Sequence, residues 1–307
     1  MEGEKVRKIP VILNVDTGID DAVAIGIALF CKKFDVRLIV CNFGNTSPLQ
    51  IMQNTRNILR FWGIKVPVVV GADKPFKRRK RKLVAVHGKT GMGSYDFPHL
   101  LYKPNYNYLE AMEKVVSGSD EKVTIISLAA LTNVAHFLTK YPQLVGKIDK
   151  IAFMSGSIDV PNGTVPYMEF NGAADPEACE VVIGSKVPLL MCPMEMGHTA
   201  YLDYADVYKT KYMNRTGAML EVIYREYKDR HVKNGIASHD GCAVACVSNP
   251  EIFKIEPVHL DVKYYEETKT GVILCDFENK EYNADVCTKV DIKKFKKLYF
   301  QCLKRMK

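Results

Sequence analysis

The chain has 307 residues, 47% of them hydrophobic, which suffices for a large α/β domain and excludes disorder over most of its length. No apolar run reaches the roughly 18 residues that cross a bilayer, and no apolar block follows the polar start MEGEKVRK, so the expectation is a cytoplasmic protein without a membrane partner. The net charge of +8 is gathered into two short stretches rather than spread along the chain, and it requires no nucleic-acid partner.

KIPVILNV predicts a first strand, DAVAIGIALFCKK an apolar helix and VRLIVCNFG a second strand, which is βαβ grammar. A helix from near Ser47, the VPVVVG strand, the VTIISLA strand before the LTNVAHFLTKY helix, and the KIAFM and KVPLLM strands continue the rhythm. Between them lies the first basic stretch, Lys74 with KRRKRK at 77–82, which reads either as a nuclear-import or polyanion-binding signal or as a solvated loop. The pattern predicts a mostly parallel, Rossmann-like open sheet flanked by helices, with function at the carboxyl ends of the strands. One domain spans 1–307 in this reading, and approximately 200–237 form a helical lobe over the active site. HLDVKYY, TGVILCD and NADVCTKV predict a few peripheral strands. The second basic stretch closes the chain, with Phe295, Leu298, Tyr299 and Leu303 at helical spacing, so it predicts an amphipathic helix whose basic face meets water. Nine cysteines, at 31, 41, 179, 192, 242, 246, 275, 287 and 302, show no framework spacing and read as reduced core thiols.

The chemistry concentrates in NVDTGIDDAVAIG, residues 14–26, where Asp16, Asp20 and Asp21 surround Gly18 directly after the first strand. Either these acids bind a hard cation through oxygen, calcium or magnesium rather than zinc, or Asp20 and Asp21 simply cap a helix. The SHD segment at 238–240 carries the same two readings: His239 and Asp240 either join a site or are a surface histidine and a helix cap. Asn45, Asn133, Glu169 and Asn171 follow predicted strands and can hold several hydroxyls at once. HGKTGMG at 87–93 lacks Walker A spacing, so His87 is either a ligand contact or a loop histidine, and no GxSxG elbow marks a serine hydrolase.

This constellation resembles the nucleoside hydrolases, whose opening signature is Asp-x-Asp-Pro-Gly-x-Asp-Asp. Here the corresponding run is Asn14, Val15, Asp16, Thr17, Gly18, Ile19, Asp20 and Asp21, so Asn14 and Thr17 depart from it. The resemblance continues in order through Gly44 and Asn45, His87 and Gly88, LTN at 131–133, EFN at 169–171, DPEA at 175–178 and HD at 239–240. It implies calcium-dependent cleavage of the N-glycosidic bond of ribonucleosides, with the ion held by Asp16, Asp21, Asp240 and the Leu128 carbonyl. It further implies that Asp16 activates water, that Asp20, Asn45 and Asn171 bind the 2′ and 3′ hydroxyls, and that Glu169 accepts from the 5′ hydroxyl. His239 would protonate the departing base, with His87 near it. Tyr224 and Tyr227 either line the base pocket or pack in the lobe, and Trp62 is structural. Asn162 stands one residue before Gly163, where the family places its asparagine, and would reach the 5′ hydroxyl only through a loop shift. A neutral ribonucleoside is the implied partner and a homodimer or homotetramer the implied assembly. A ribonucleoside-binding or sensing protein that keeps the ribose clamp but turns over weakly is the alternative.

Overall fold

The computed structural model describes residues 7–77, 90–98, 100–159, 168–227, 232–265 and 270–307. The chain opens with β1 (Ile9–Val15), α1 (Ile19–Phe30), β2 (Phe34–Cys41), α2 (Pro48–Phe61) and β3 (Val68–Val70). There follow α3 (Tyr108–Ser117), β4 (Val123–Ser127), α4 (Thr132–Lys140), β5 (Ile148–Met154), α5 (Phe170–Ala174), α6 (Pro176–Ile183), β6 (Leu189–Cys192) and α7 (Met194–Thr199). Several helix starts carry local chemistry. Ser47 accepts from Gln50 N–H ahead of Pro48, and Asp175 accepts from Ala178 N–H ahead of Pro176, so that proline sits where its missing N–H costs nothing.

Alternation along β1 builds both faces of the sheet. Val11, Leu13 and Val15 enter one core with α1, α2 and the later helices, while Ile12 enters the other with Met112 and Val116 of α3, Val134 and Phe137 of α4, and Val182 of α6. Among the described residues the strands form a nine-stranded sheet, in which three later strands adjoin the order β6-β5-β4-β1-β2-β3 at its β6 end. The chain leaves β1 toward β2 and β3 on one side and returns to β4 on the other, and both neighbours are parallel to β1. The order reverses there, so a crevice opens at the carboxyl ends of β1 and β4.

The last three strands lie at the periphery, as the sequence predicts: β9 (Phe253–Tyr265), β10 (Thr270–Asp276) and β11 (Ala284–Val290) form one end of the main sheet. β11 runs parallel to β6, and β9 and β10 fold back antiparallel. The first half of β9 is hidden in sequence by Glu256 and Pro257, which interrupt the apolar alternation.

Residues between α7 and α10 (His239–Ser248) comprise α8 (Tyr204–Lys211), α9 (Arg215–Tyr224) and a two-stranded antiparallel pair, β7 (Leu202–Asp203) with β8 (Gly235–Ile236), which the sequence reading did not anticipate. The segment is tied to the body by Trp62 Nε1, which donates to Thr216 Oγ1 at 2.9 Å, and by Asn214 Nδ2, which donates to the Leu303 carbonyl at 2.6 Å. Trp62 is therefore structural. The closing helix, α11 (Ile292–Leu303), buries Phe295, Leu298, Tyr299 and Leu303 and leaves Lys293, Lys294 and Lys297 exposed. Among the described residues no helix is long and apolar enough to cross a membrane. Phe295→Ala should lower the urea unfolding free energy by about 3–5 kcal/mol, because it empties a fully buried ring site, whereas Lys293→Ala should change it by less than about 0.5 kcal/mol.

Candidate active site

The loop leaving β1 sends Asp16 into the crevice, and α1 begins at Ile19, so Asp20 and Asp21 fall in its first turn. Asp21 acts as a local cap: Oδ2 accepts from Gly18 N–H at 2.9 Å and Oδ1 from Asp16 N–H at 3.2 Å. Asp16 Oδ2 accepts from Asn45 N–H at 2.9 Å, and the Asp16 carbonyl accepts from Asn45 Nδ2 at 3.3 Å. The two chain segments that end β1 and β2 are thereby stitched together. From the far end of the sequence α10 supplies Asp240 in its first turn, and its carboxyl group hydrogen-bonds that of Asp21. The capping role of Asp21 does not conflict with the cation reading, since a carboxylate that accepts from backbone N–H groups keeps lone pairs for a further ligand.

Asp20, Asp21 and Asp240 bring ligand oxygens within 4.8 Å of one another. Asp16, expected in the same shell, is the neighbour whose oxygen is turned to Asn45, and Asp20 completes the trio. Burial, followed by the Asp21 charge, raises the Asp16 carboxyl well above the usual range. Burial and then Asp20 raise Asp21 to about 7, and burial and then Asp20 raise Asp240 well above its ordinary value. Like charges at this proximity demand either shared protons or a cation, and an all-oxygen donor set suits a hard divalent ion.

The Leu128 carbonyl, just past β4, accepts from Asn171 Nδ2 at 2.9 Å. Asn171 Nδ2 also donates to the Met154 carbonyl at 3.1 Å, so its amide is locked between the ends of β4 and β5. Glu169 caps α5. Its Oε1 accepts from Asn171 N–H at 2.7 Å, and its Oε2 from Ser155 Oγ at 2.8 Å, Gly172 N–H at 2.9 Å and Gly156 N–H at 3.0 Å. Burial nonetheless raises its carboxyl above the ordinary value, against those donors. Asn133 sits deeper: Nδ2 donates to Asn14 Oδ1, and Oδ1 accepts from Ala72 N–H, each at 2.8 Å, so it braces the loop and holds no hydroxyl.

His239 is half-buried with Nδ1 3.1 Å from the Met194 carbonyl. A carbonyl only accepts, so the proton on that side belongs to Nδ1, and Nε2 is the nitrogen that can exchange one. The His198 ring meets it edge-on at 4.8 Å. Tyr224 is buried at 2% exposure, with its hydroxyl 3.3 Å from that of Tyr299, which is the packing alternative. Tyr227 is half-buried against the same core. His87, Asn162 and residues 78–82 of the basic block lie outside the described residues.

Sequence reading missed two positions. A Cβ on Gly197, within α7, would lie 2.3 Å from His239 Nδ1, so this glycine leaves the space that the imidazole occupies. Its signal was a glycine inside a helical stretch. Asp175 was noted only within DPEA; its Oδ2 accepts from Phe76 N–H at 2.7 Å and from Thr132 Oγ1 at 2.5 Å, which anchors the chain entering 77–82. A 500 Å³ cavity between α2 and residues 90–102 is separate from the acids and lies beyond Asn54, whose amide donates to the Thr17 carbonyl at 3.1 Å.

Comparison with known proteins agrees with this geometry. The non-specific ribonucleoside hydrolase RihC of Klebsiella pneumoniae subsp. pneumoniae is 34% identical over 299 residues, covering 94% of this chain and 96% of its own. That of Escherichia coli O139:H28 is 34% identical over 292 residues at the same coverage. Among solved structures, a purine-preferring ribonucleoside hydrolase from Gardnerella vaginalis superposes with a TM-score of 0.86 at 22% identity, over 97% of this chain and 98% of its own. A plant nucleoside hydrolase gives 0.87 at 22% identity, over 97% and 99%. These likenesses support the fold, and residues 11–297 match the family described as inosine-uridine preferring nucleoside hydrolase. The chain belongs to that family.

Proposed function

We propose that the chain hydrolyses the N-glycosidic bond of neutral ribonucleosides to free base and ribose, with calcium as its cation. The observation that carries this reading is the buried carboxylate cluster at the point where the strand order reverses, in a chain of this family. Asp16, Asp21, Asp240 and the Leu128 carbonyl would hold the ion, with Asp20 beside them. When bound, calcium would neutralise the cluster, grip the ribose diol and make water easier to deprotonate.

The remaining work falls to side chains. Asp16 accepts the proton of the attacking water; its raised proton affinity suits a general base, and the Asn45 N–H fixes Oδ2 so that Oδ1 faces the reaction. Asp20, Asn45 and Asn171 hold the 2′ and 3′ hydroxyls. Glu169 Oε1, with one donor against three on Oε2, retains capacity for the 5′ hydroxyl, and its charge disfavours a 5′ phosphate. These contacts orient the sugar as positive charge grows at C1′. His239 delivers a proton from Nε2 to the departing base, and the Met194 carbonyl supports the imidazolium through Nδ1–H. Tyr227 is the exposed-side candidate for the base pocket and Tyr224 its buried backing, while His87 and Asn162 keep their expected places near the base and the 5′ hydroxyl. The relatives named non-specific ribonucleoside hydrolases support a broad base range. A homodimer or homotetramer is part of the proposal, and Tyr204 and Tyr208 of α8 with Tyr212 just past its end, all exposed, are an apolar surface available for it.

Asp16→Asn should lower kcat for inosine by about 10²–10⁴-fold with unchanged circular dichroism; turnover within about twofold of wild type would remove the general-base assignment. His239→Ala should lower kcat for inosine by about 10²-fold or more, yet spare p-nitrophenyl riboside, whose leaving group needs no proton. Gly197→Ala should reproduce that substrate pattern more weakly, and equal losses on both substrates would argue against leaving-group protonation by His239. The metal-free protein should respond to pH through the raised carboxyls. Their stabilising contribution is complete below the ordinary aspartate range and disappears as pH rises through about 7, the value for Asp21. Thermal melts with chelator and with calcium should therefore show a larger calcium-induced rise in Tm at about pH 8 than at about pH 5; an equal rise would dissociate the ion from the acids.

A further inference from the structure

About two turns along α10 from His239 lies a second ligand cluster, made of sulfur. Cys192 ends β6, Cys287 lies in the adjacent β11, and Cys246 projects from α10. Their Sγ atoms all lie within 4.8 Å of one another, and the three residues are 0%, 1% and 0% exposed for Cys192, Cys246 and Cys287. None is bonded to another: all nine cysteines of the chain are free thiols. Cys246 Sγ also reaches the Ala243 carbonyl at 3.1 Å, and β11 is bulged between Cys287 and Lys289, which gives the strand slack beside the cluster.

We propose that these three thiols form a site for a soft, trivalent metalloid of the arsenite class. Three sulfurs this close need to move by less than about 1 Å each to meet one soft atom at bond lengths near the ~2.3 Å of zinc thiolates. Zinc itself is disfavoured, since a closed zinc site takes four ligands and this one offers three sulfurs and no access to water. Monovalent copper and divalent mercury match the softness but leave net negative charge on a trithiolate, and uncompensated charge in a dry interior is costly. A trivalent centre alone leaves the site neutral. The exchange balances as As(OH)₃ plus three R–SH giving As(SR)₃ plus three H₂O: three As–O bonds and three S–H bonds break, three As–S bonds form, and each thiol proton leaves on a hydroxide as water. No oxidant or reductant is needed. Because the sulfurs come from β6, β11 and α10, an occupant would cross-link the helix that begins with His239 and Asp240 to the sheet. The argument is independent of the proposed hydrolysis.

The test uses the full-length, calcium-loaded protein kept reduced with a phosphine and incubated with sodium arsenite. Native mass spectrometry should show one arsenic gained and three protons lost per chain, and the melting temperature should rise. Maleimide labelling after denaturation, with peptide mapping, should find Cys192, Cys246 and Cys287 shielded relative to an arsenite-free control, in which all three label. Cys246→Ala and Cys287→Ser should each abolish the three-proton adduct, while Cys31→Ser should retain it. Absence of an adduct on the folded wild type overturns the proposal, as does shielding of a different set of cysteines, a reading that needs no variant to fold.

Discussion

Burial of like charge is the constraint on which this molecule depends. Asp16, Asp20, Asp21 and Asp240 are each less than 9% exposed, and the charges acting on them include one another. Two carboxylates 4 Å apart repel by about 4 kcal/mol at an effective dielectric of 20, which exceeds what one hydrogen bond returns. The fold reduces that cost by aiming two helix starts at the cluster. Asp20 and Asp21 occupy the first turn of α1 and Asp240 the first turn of α10, where free backbone N–H groups and the helix dipole favour negative charge. What the dipoles leave uncompensated is the binding energy available to a cation, so stability and cofactor binding are the same problem here.

The topology explains why the acids can meet although 219 residues separate Asp21 from Asp240. Parallel strands deliver all their carboxyl ends to one edge, and the reversal of order beside β1 keeps that edge open. Space at the edge is then set by glycine. A Cβ on Gly44 would lie 1.8 Å from Asp16 Oδ2, and one on Gly197 2.3 Å from His239 Nδ1. Both side chains therefore occupy volume vacated by a missing side chain, and their orientations are fixed by packing as much as by hydrogen bonds.

The first six strands, α1, α2, α4 and the closing helix were legible because each carries its own period and punctuation, as where Ser47-Pro48 announces α2; α3 and the helix that starts at Asp175-Pro176 were not, because short amphipathic segments between strands carry a weaker period. The joining of β9 to β11 to the sheet was not, because pairing partners are chosen by tertiary contact rather than by local pattern. The acids of the site were visible as composition and spacing. Their division of labour was not: whether Asp16 or Asp20 stands nearest Asp21 and Asp240 depends on which side chain the Asn45 N–H captures, a contact made across 29 residues. Tyr224 was ambiguous for the same reason, since a tyrosine on an amphipathic helix looks alike whether its hydroxyl meets a ligand or, as here, Tyr299.

The two departures from the family signature have a structural account that leaves the acid cluster whole. Asn14 lies in a buried network, where Nδ2 donates to Ser127 Oγ at 2.8 Å and to the Ala130 carbonyl at 3.1 Å while Oδ1 accepts from Asn133. An aspartate there would set a carboxylate oxygen against the Ala130 carbonyl and add a further buried negative charge to a region already short of compensation. The neutral amide satisfies every neighbour with both donor and acceptor in place. Thr17 behaves similarly. Its Oγ1 lies 2.7 Å from Thr55 Oγ1, which itself donates to the Ile51 carbonyl of α2, so the threonine ties the acidic loop to α2 through a side-chain bond that a proline ring could not make. The loop thus keeps Asp16 and Asp21 in position through these neutral contacts, and the run carries one carboxylate fewer than the signature while retaining Asp16, Asp20 and Asp21.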